Sequence, residues 1–423
     1  MRNFSILIII ICLLIFASGC WDKQELEDNT FAVLLGLDTS GDKNVTVTIA
    51  YPVTQLDQDE MEYTVMSATA SSLTEGLNML GAKLAGPLAL HSVKTVVISQ
   101  ELAESDAMTG RLFSPLRQKQ VRNTTNLLIS ACTAQEFINA RVENLAIDLL
   151  RQEELLLEQA NKSAYYKPLQ LLDFIINLQS DGADSVIMLG NIVVSEEKAE
   201  DDKEDKKDED KDEKSEKEDA EENNGEKEDK SEQDKTETSV KKGYLPGDMP
   251  VKADNNTQIC GLAVFRRDKM VGVLDSAESQ TFSMLTSNKL QKTLTLPDPY
   301  EPDKSITVSV QRGFGKINSR IDGERPIFDI VVDLRCAVEY APDGFDTEIA
   351  GEYIKEACAA DALALIEKVQ KEYNADVLKL GNKLRFKSAE EQRAFNWREK
   401  YADAEINVII NVKMIQNSPH KSL

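Results

Sequence analysis

The chain has 423 residues, 41% of them hydrophobic, and carries 49 basic against 73 acidic side chains for a formal charge of −24. An acidic balance of this size excludes nucleic acid as a charge-matched partner and gives no electrostatic hold on anionic lipid, since both need excess cations. The length suits two or three domains, each with a core of its own.

The first element is apolar. It runs from Ile6 to Phe16, about eleven residues, whereas a helix needs about twenty to cross a hydrocarbon core of roughly 30 Å. Arg2 precedes it and Ala17, Ser18 and Gly19 follow, the layout of a secretory signal, and Cys20 comes next. A thiol directly after a small-residue cleavage site resembles a bacterial lipobox, in which the sulfur takes a diacylglycerol and Cys20 becomes the acylated first residue. Two acyl chains anchor stably where one does so marginally, at about 0.8 kcal/mol per buried CH₂. Ala17 stands where such motifs usually carry Leu; the alternative is a plain signal peptide that happens to precede a cysteine. Trp21, beside the anchor, suits either a headgroup-level aromatic or a core position.

FAVLLGLD and NVTVTIAYP are predicted strands joined by SGDK, with Phe31, Val33, Leu35 and Leu37 on one face of the first and Val45, Val47, Ile49 and Tyr51 on one face of the second. SSLTEGLNMLGAKLA is a predicted helix, VKTVVISQ a strand, and TNLLISA a strand running into the helix TAQEFINARV. Two more helices are expected, from Leu145 to Lys162 and from Leu169 to Leu178, before SVIMLGNIVV returns as a buried strand. This alternation points to an α/β layer. From Glu196 to Lys242 the composition collapses to 23 acidic and 12 basic residues with almost nothing apolar. Such a segment cannot offset the backbone ordering entropy of about 1 to 2 kcal/mol per residue, so a disordered linker is expected. QICGLAVF and MVGVLD then flank RRDK as a hairpin, and Asp275 with Glu278 forms a capping-box signal for the helix ESQTFSML. SITVSVQ and PIFDIVVDLRCAVEY follow as strands, the second alternating Phe328, Ile330, Val332, Leu334, Cys336 and Val338. The longest helical signal places Ile354, Cys358, Ala362, Leu365, Val369 and Tyr373 on one stripe, and INVIINVKM closes with Ile406, Val408, Ile410, Val412 and Met414 on one face.

The expected fold class is mixed α+β and α/β, multidomain, with mostly antiparallel or mixed sheets and one long helix on the C-terminal sheet. The expected division is a signal peptide at 1–19, an N-terminal α/β region at 20–195, the acidic insertion at 196–242, a hairpin-helix region at 243–300 and a C-terminal α+β domain at 301–423.

Catalytic material is scarce. His91 and His420 are the only histidines, too few for histidine zinc sites or Ser-His-Asp chemistry. LALHSVK offers His91 no nucleophile nearby, so a structural hydrogen bond is its expected role. Arg117 and Arg122 bracket a stretch that could hold a carboxylate, with a surface ion pair as the plainer reading. Gly313 and Gly315 in QRGFGK read as a strand bulge rather than a phosphate loop. Cys132, Cys260, Cys336 and Cys358 lie far apart without CxxC spacing, as expected of small core residues, with one or two disulfides as the alternative. No catalytic residue, metal ligand or cofactor site is expected, and the ligand-binding residues stay undefined.

Taken together, Cys20, Trp21, Asp22, Glu25 and Leu26, then Leu35, Gly36 and Asp38, then Pro52, His91 before VKTVVISQELA, and Arg117 and Arg122 before TNLLISA resemble the Ger(x)C lipoproteins. GLAVFRRDKMVGVLDSAE, with Asp268, Lys269, Gly272, Leu274 and Glu278, is similar to the family's hairpin, and ADVLKLGNKLR, Trp397 and AEINVIINVKM to its ending. The charged insertion and Cys132, where a Gly is expected, depart from the pattern. The resemblance implies a non-enzymatic C subunit of a spore nutrient germinant receptor, partnered by integral membrane A and B subunits. It also implies a lipid-anchored place on the outer face of the inner spore membrane. A solute-binding lipoprotein of a transporter is the alternative, and would need two lobes around a cleft.

Overall fold

A computed structural model describes residues 29–415 apart from 42–43, 54–60, 107, 109–120, 144, 146, 194–242, 252–255, 288–291, 298–303, 342–346 and 387. The expectations for the signal, Cys20, Trp21, Arg117 and the acidic insertion therefore lie outside the described residues.

The first elements are β1 (Thr30–Phe31), β2 (Leu34–Ser40), β3 (Asn44–Val53) and β4 (Glu62–Ala70). The predicted hairpin is present, with Leu35 opposite Ile49 and Leu37 opposite Val47. One face assignment fails: the chain breaks between β1 and β2, so Val33 packs with Leu34 and Ala50 on the opposite side of the sheet from Leu35 and Leu37. A two-residue interruption resets the period of two that the alternation assumed.

Next come α1 (Leu73–Lys83), β5 (Leu88–Ala89), β6 (Thr95–Ser99) and the short α2 (Gln100–Glu104). After them follow β7 (Asn126–Ser130), α3 (Ala134–Val142), α4 (Leu149–Ser163), β8 (Leu169–Gln170), α5 (Leu171–Gln179) and β9 (Val186–Ile192). Helix α3 starts where Thr133 and Glu136 cap each other's backbone N–H groups. The helix expected from Leu145 begins at Leu149, and the one expected from Leu169 begins two residues later, after β8.

The hairpin β10 (Thr257–Arg266) and β11 (Lys269–Leu274) leads into α6 (Ser276–Thr286), whose capping box of Asp275 and Glu278 is formed as predicted. This hairpin pairs with β9, so the large sheet runs β11-β10-β9-β7-β6-β2-β3-β4, with β8 against β7. Its centre, β2-β6-β7-β9, is parallel, and both wings are antiparallel. One face is covered by α1, α2 and α5 through Leu77, Leu102 and Phe174. The other meets α3 and α4 through Phe137, Ile138 and Leu149.

The C-terminal part opens with β12 (Lys292–Pro297), β13 (Ser305–Asp322) and β14 (Arg325–Tyr340). The long helix α7 (Thr347–Glu367) runs on as a π-turn over Lys368–Glu372, before α8 (Ala389–Ala394), α9 (Trp397–Lys400) and β15 (Glu405–Met414). The sheet order is β12-β13-β14-β15, with only β14 and β15 parallel. Strand β13 continues through Gly313 and Gly315, and its register slips between Val310 and Arg312, the bulge read from QRGFGK. The predicted stripe of α7 is in place: Ile354, Cys358, Ala362, Leu365 and Val369 are all buried against Phe328, Ile330, Val332, Leu334 and Ile410. The same core takes in Val186, Leu262, Val264 and Leu274 of the large sheet together with Phe282 and Leu285 of α6. One apolar cluster thus joins the two sheets.

Candidate functional site

The polar groups that close this apolar seam come from three distant stretches. Asp184 lies in the loop between α5 and β9, Asp376 in the turn after the π-turn, and Arg398 on α9. The Asp184 carboxylate accepts from the backbone N–H of Arg267 at 2.7 Å and of Asp376 at 2.9 Å, and from Arg398 Nη1 at 3.1 Å. In return its own N–H donates to the Asp376 carbonyl at 2.9 Å. The Asp376 carboxylate accepts from Leu380 N and Gly381 N, both at 2.8 Å, and from Trp397 Nε1 at 2.9 Å. Arg398 Nη2 donates to the Ser180 carbonyl at 3.0 Å. Burial pushes the Asp376 carboxyl up to about 6, and the Gly381 and Leu380 N–H groups pull the other way. Unpaired charge at such depth would be costly; here Asp184 takes all its donors from distant segments, and Asp376 takes two from its own turn and one from Trp397.

Two glycines bring the backbones together at this point. A Cβ on Gly182 would stand 2.6 Å from Gly381 C, and one on Gly381 would stand 2.4 Å from Gly182 Cα. Asn382 N donates to the Gly182 carbonyl across the gap at 3.1 Å. A second fastening lies at the edge of the large sheet, where the Tyr373 ring fills the space left by Gly272 and its hydroxyl donates to the Val273 carbonyl at 3.0 Å. Lys368, in the π-turn, reaches Glu278 at 2.8 Å while Glu278 also caps α6.

The residues singled out from sequence divide accordingly. Gly272, Glu278, Gly381 and Trp397 meet at the seam. Asp38 works elsewhere, accepting from Ala134 N at 2.6 Å and Gln135 N at 3.1 Å at the start of α3. Gly36 makes room for that helix, since a Cβ there would lie 2.7 Å from Ile138 Cδ1. His91 meets the Phe31 ring edge to face, with ring centroids 5.5 Å apart. Arg122 is exposed. Cys132, Cys260, Cys336 and Cys358 are thiols outside any disulfide, three buried and Cys132 half-buried beside Ser130 at 3.2 Å. Among the described residues no group of three or more His, Cys, Asp or Glu is placed to hold a metal, and no helix is long and apolar enough to cross a membrane. Sequence reasoning missed Asp184, Arg398 and Tyr373; the only local trace was Gly182 two residues before an Asp that precedes an apolar strand.

The positions carrying the resemblance are therefore built into both halves and the seam between them, which makes whole-chain comparison informative. Residues 22–192 match the family described as spore germination protein N-terminal domain, and residues 260–418 match the one described as spore germination B3/GerAC like, C-terminal. The chain belongs to the Ger(x)C family. The family is that of the C-type germinant receptor subunits. The chain is 19% identical to the putative spore germination protein YfkR of Bacillus subtilis (strain 168), over 96% of this chain and 94% of that protein. It is 25% identical to spore germination protein KC of the same organism over 32% of this chain and 36% of that one. The fold is similar to the crystal structure of the GerBC protein, with a TM-score of 0.52 and 14% identity over 93% of this chain and 100% of that chain.

Proposed function

We propose that this Ger(x)C chain is the lipid-anchored, non-enzymatic C subunit of a spore nutrient germinant receptor and acts with integral membrane A and B subunits to trigger germination. Diacylglycerol on Cys20, after removal of residues 1–19, holds it on the outer face of the inner spore membrane. Residues 196–242 are a linker on this reading. The observation that carries the proposal is the use of the family's positions. Gly272, Glu278, Asp376, Gly381 and Trp397 fasten two sheets into one body.

The same observation weighs against the solute-binding alternative. A clamshell binder keeps its interlobe space open, whereas Val186, Val264, Phe282 and Leu285 fill it here. An open groove of about 680 Å³ does lie between Glu324, Arg325, Lys371 and Lys400, but within the C-terminal part, and Lys400 and Arg325 already pair with Glu324 and Glu405. Co-purification from spore membranes tests the proposal: the chain is expected with both integral subunits, and recovery without them refutes it. Fatty-acid labelling tests the anchor. Label is expected on the wild-type chain and absent from Cys20→Ala; label persisting on the variant refutes the lipidation site. A thermal-shift screen against amino acids and sugars is expected to be flat, because a binder of free solute is stabilised by RT ln(1 + [L]/Kd).

A further inference from the structure

Sheet ends expose unpaired backbone groups, and proteins usually blunt them with charge, proline, bulges or a covering element. The two large sheets have four ends among the described residues, and three are blunted. Strand β11 carries Lys269, pairs through a bulge between Val264 and Phe265, and lies under Tyr373. Strand β12 has six residues and ends at Pro297. Strand β15 carries Glu405 and Lys413, and Asn407 and Asn411 sit on its outer face bonded to Asp329 and Asp333.

The fourth end, β4, has no basic residue, proline or bulge, and its single charge, Glu62, stands at its first position. Its nine residues are EYTVMSATA, and its pairing with β3 runs from Val45↔Ala70 to Val53↔Glu62 without a slip. Both faces are anchored, Met66 and Ala68 against the core under α1 and Tyr63 and Val65 against the core under α3, and among the described residues β3 is the one strand paired with β4. Hydroxyl contacts Thr46–Thr69 and Thr48–Ser67 tie it further to β3.

We propose that the free edge of β4 pairs with the same edge of a second copy of this chain, joining two large sheets about a two-fold axis at Met66. An antiparallel pairing centred there sets Tyr63 opposite Thr69, Thr64 opposite Ala68 and Val65 opposite Ser67. Each residue keeps its own face, because a two-fold pairing joins positions of equal parity. An aromatic ring thus meets a β-branched residue, a favourable cross-strand pair. The strand's one charge, Glu62, falls opposite Ala70, so no like charges meet. Strand addition of this kind draws its affinity from main-chain hydrogen bonds, and residues 63–70 of β4 supply the uncharged extended segment that β4 itself accepts.

The test uses the full chain solubilised in mild detergent, with size-exclusion chromatography and light scattering to read the protein mass over a dilution series. A dimer is expected, and Thr64→Lys, which places a cation on an exposed position of the edge, is expected to halve the mass while the chain still melts cooperatively, at a temperature that no longer depends on protein concentration. Ser67→Lys, also exposed, serves as a second variant should the first fail to fold. Amide exchange along β4 is expected to be slow in the dimer and fast in the variants. A wild-type chain that stays monomeric overturns the proposal, including one whose β4 amides are nevertheless protected, since the edge is then covered by its own chain. A dimer that both folded lysine variants leave intact places the interface elsewhere and equally overturns it.

Discussion

Replacing Gly182 by Ala adds one methyl group at the tightest point of the seam. The new Cβ would stand 2.6 Å from Gly381 C and 2.7 Å from Asn382 N, whereas ordinary contact begins at 3.4 Å. Both obstacles are backbone, so no rotamer change relieves them and the two turns at the seam must part by about 0.8 Å. That movement stretches the Asn382 N–H to Gly182 carbonyl bond from 3.1 Å beyond useful length, a loss of about 0.5 to 1.5 kcal/mol. It also loosens Arg398 from Asp184, which is buried to 1% side-chain exposure; full rupture of a buried pair costs about 3 to 5 kcal/mol. A destabilisation of about 2 to 4 kcal/mol is expected, read as a lower urea midpoint at unchanged slope. Gly81→Ala is the matched control. It makes the same chemical change inside α1 where no atom lies within 4 Å of the new Cβ, and is expected to stabilise by about 0.5 to 1 kcal/mol. A Gly182→Ala loss below about 0.5 kcal/mol would refute the close approach of the two backbones.

Four further outcomes are expected. Asp376 has its carboxyl raised from 3.8 to about 6, so the folded state binds a proton that the unfolded state has released. The associated stability is complete below about pH 4 and is lost as pH rises through about 6; the wild-type melting temperature should fall over that window and Asp376→Asn should flatten the dependence. Leu365→Asp sets a carboxylate into the core under α7, where Leu365 is 2% exposed, and should deplete the protein on immunoblots of spore membranes. Glu367→Lys on the exposed side of α7 should change stability by less than about 0.5 kcal/mol. Deleting residues 198–240 should leave the melting temperature nearly unchanged, because β9 and β10 are antiparallel neighbours with Ile192 opposite Thr257, and loop-closure cost varies slowly with length.

Local signals in the sequence were enough for the hairpins, the capping box at Asp275 and Glu278, and the stripe of α7, since each depends on residues within a few positions of one another. What escaped depended on distance or on weak contrast. Strand β4 reads poorly because Thr and Ser alternate with residues half-buried on both faces, which blurs the period of two. The destination of the β10–β11 hairpin is set by β9, beyond the acidic insertion, and nothing local names that partner. The seam is less legible still: Arg398 and Asp184 are 214 positions apart, and each alone looks like any surface charge. Cys20 stands apart as a reading carried by sequence alone, on residues 1–28 that lie outside the described structure.

The location of the family's positions also decides how mutant phenotypes should be interpreted. Asp38 holds the first turn of α3, Gly36 admits that helix, Gly272 admits Tyr373, and Asp376 with Trp397 closes the seam. Substitution at any of them opens a buried hydrogen bond or forces packed groups apart, and losses of even 1 to 2 kcal/mol change cellular abundance several-fold. A germination defect at these sites therefore reports loss of the protein and says nothing about contact with a partner. A contact residue must instead combine normal abundance with failed germination, and the positions able to do so are the exposed ones. Ile176 on α5, Leu363 on α7 and Ile409 on β15 are about half exposed, so polar substitution there removes little folding energy. A screen that scores abundance and germination together should consequently separate the two groups, buried sites falling on the line where function tracks amount and partner-facing sites falling below it.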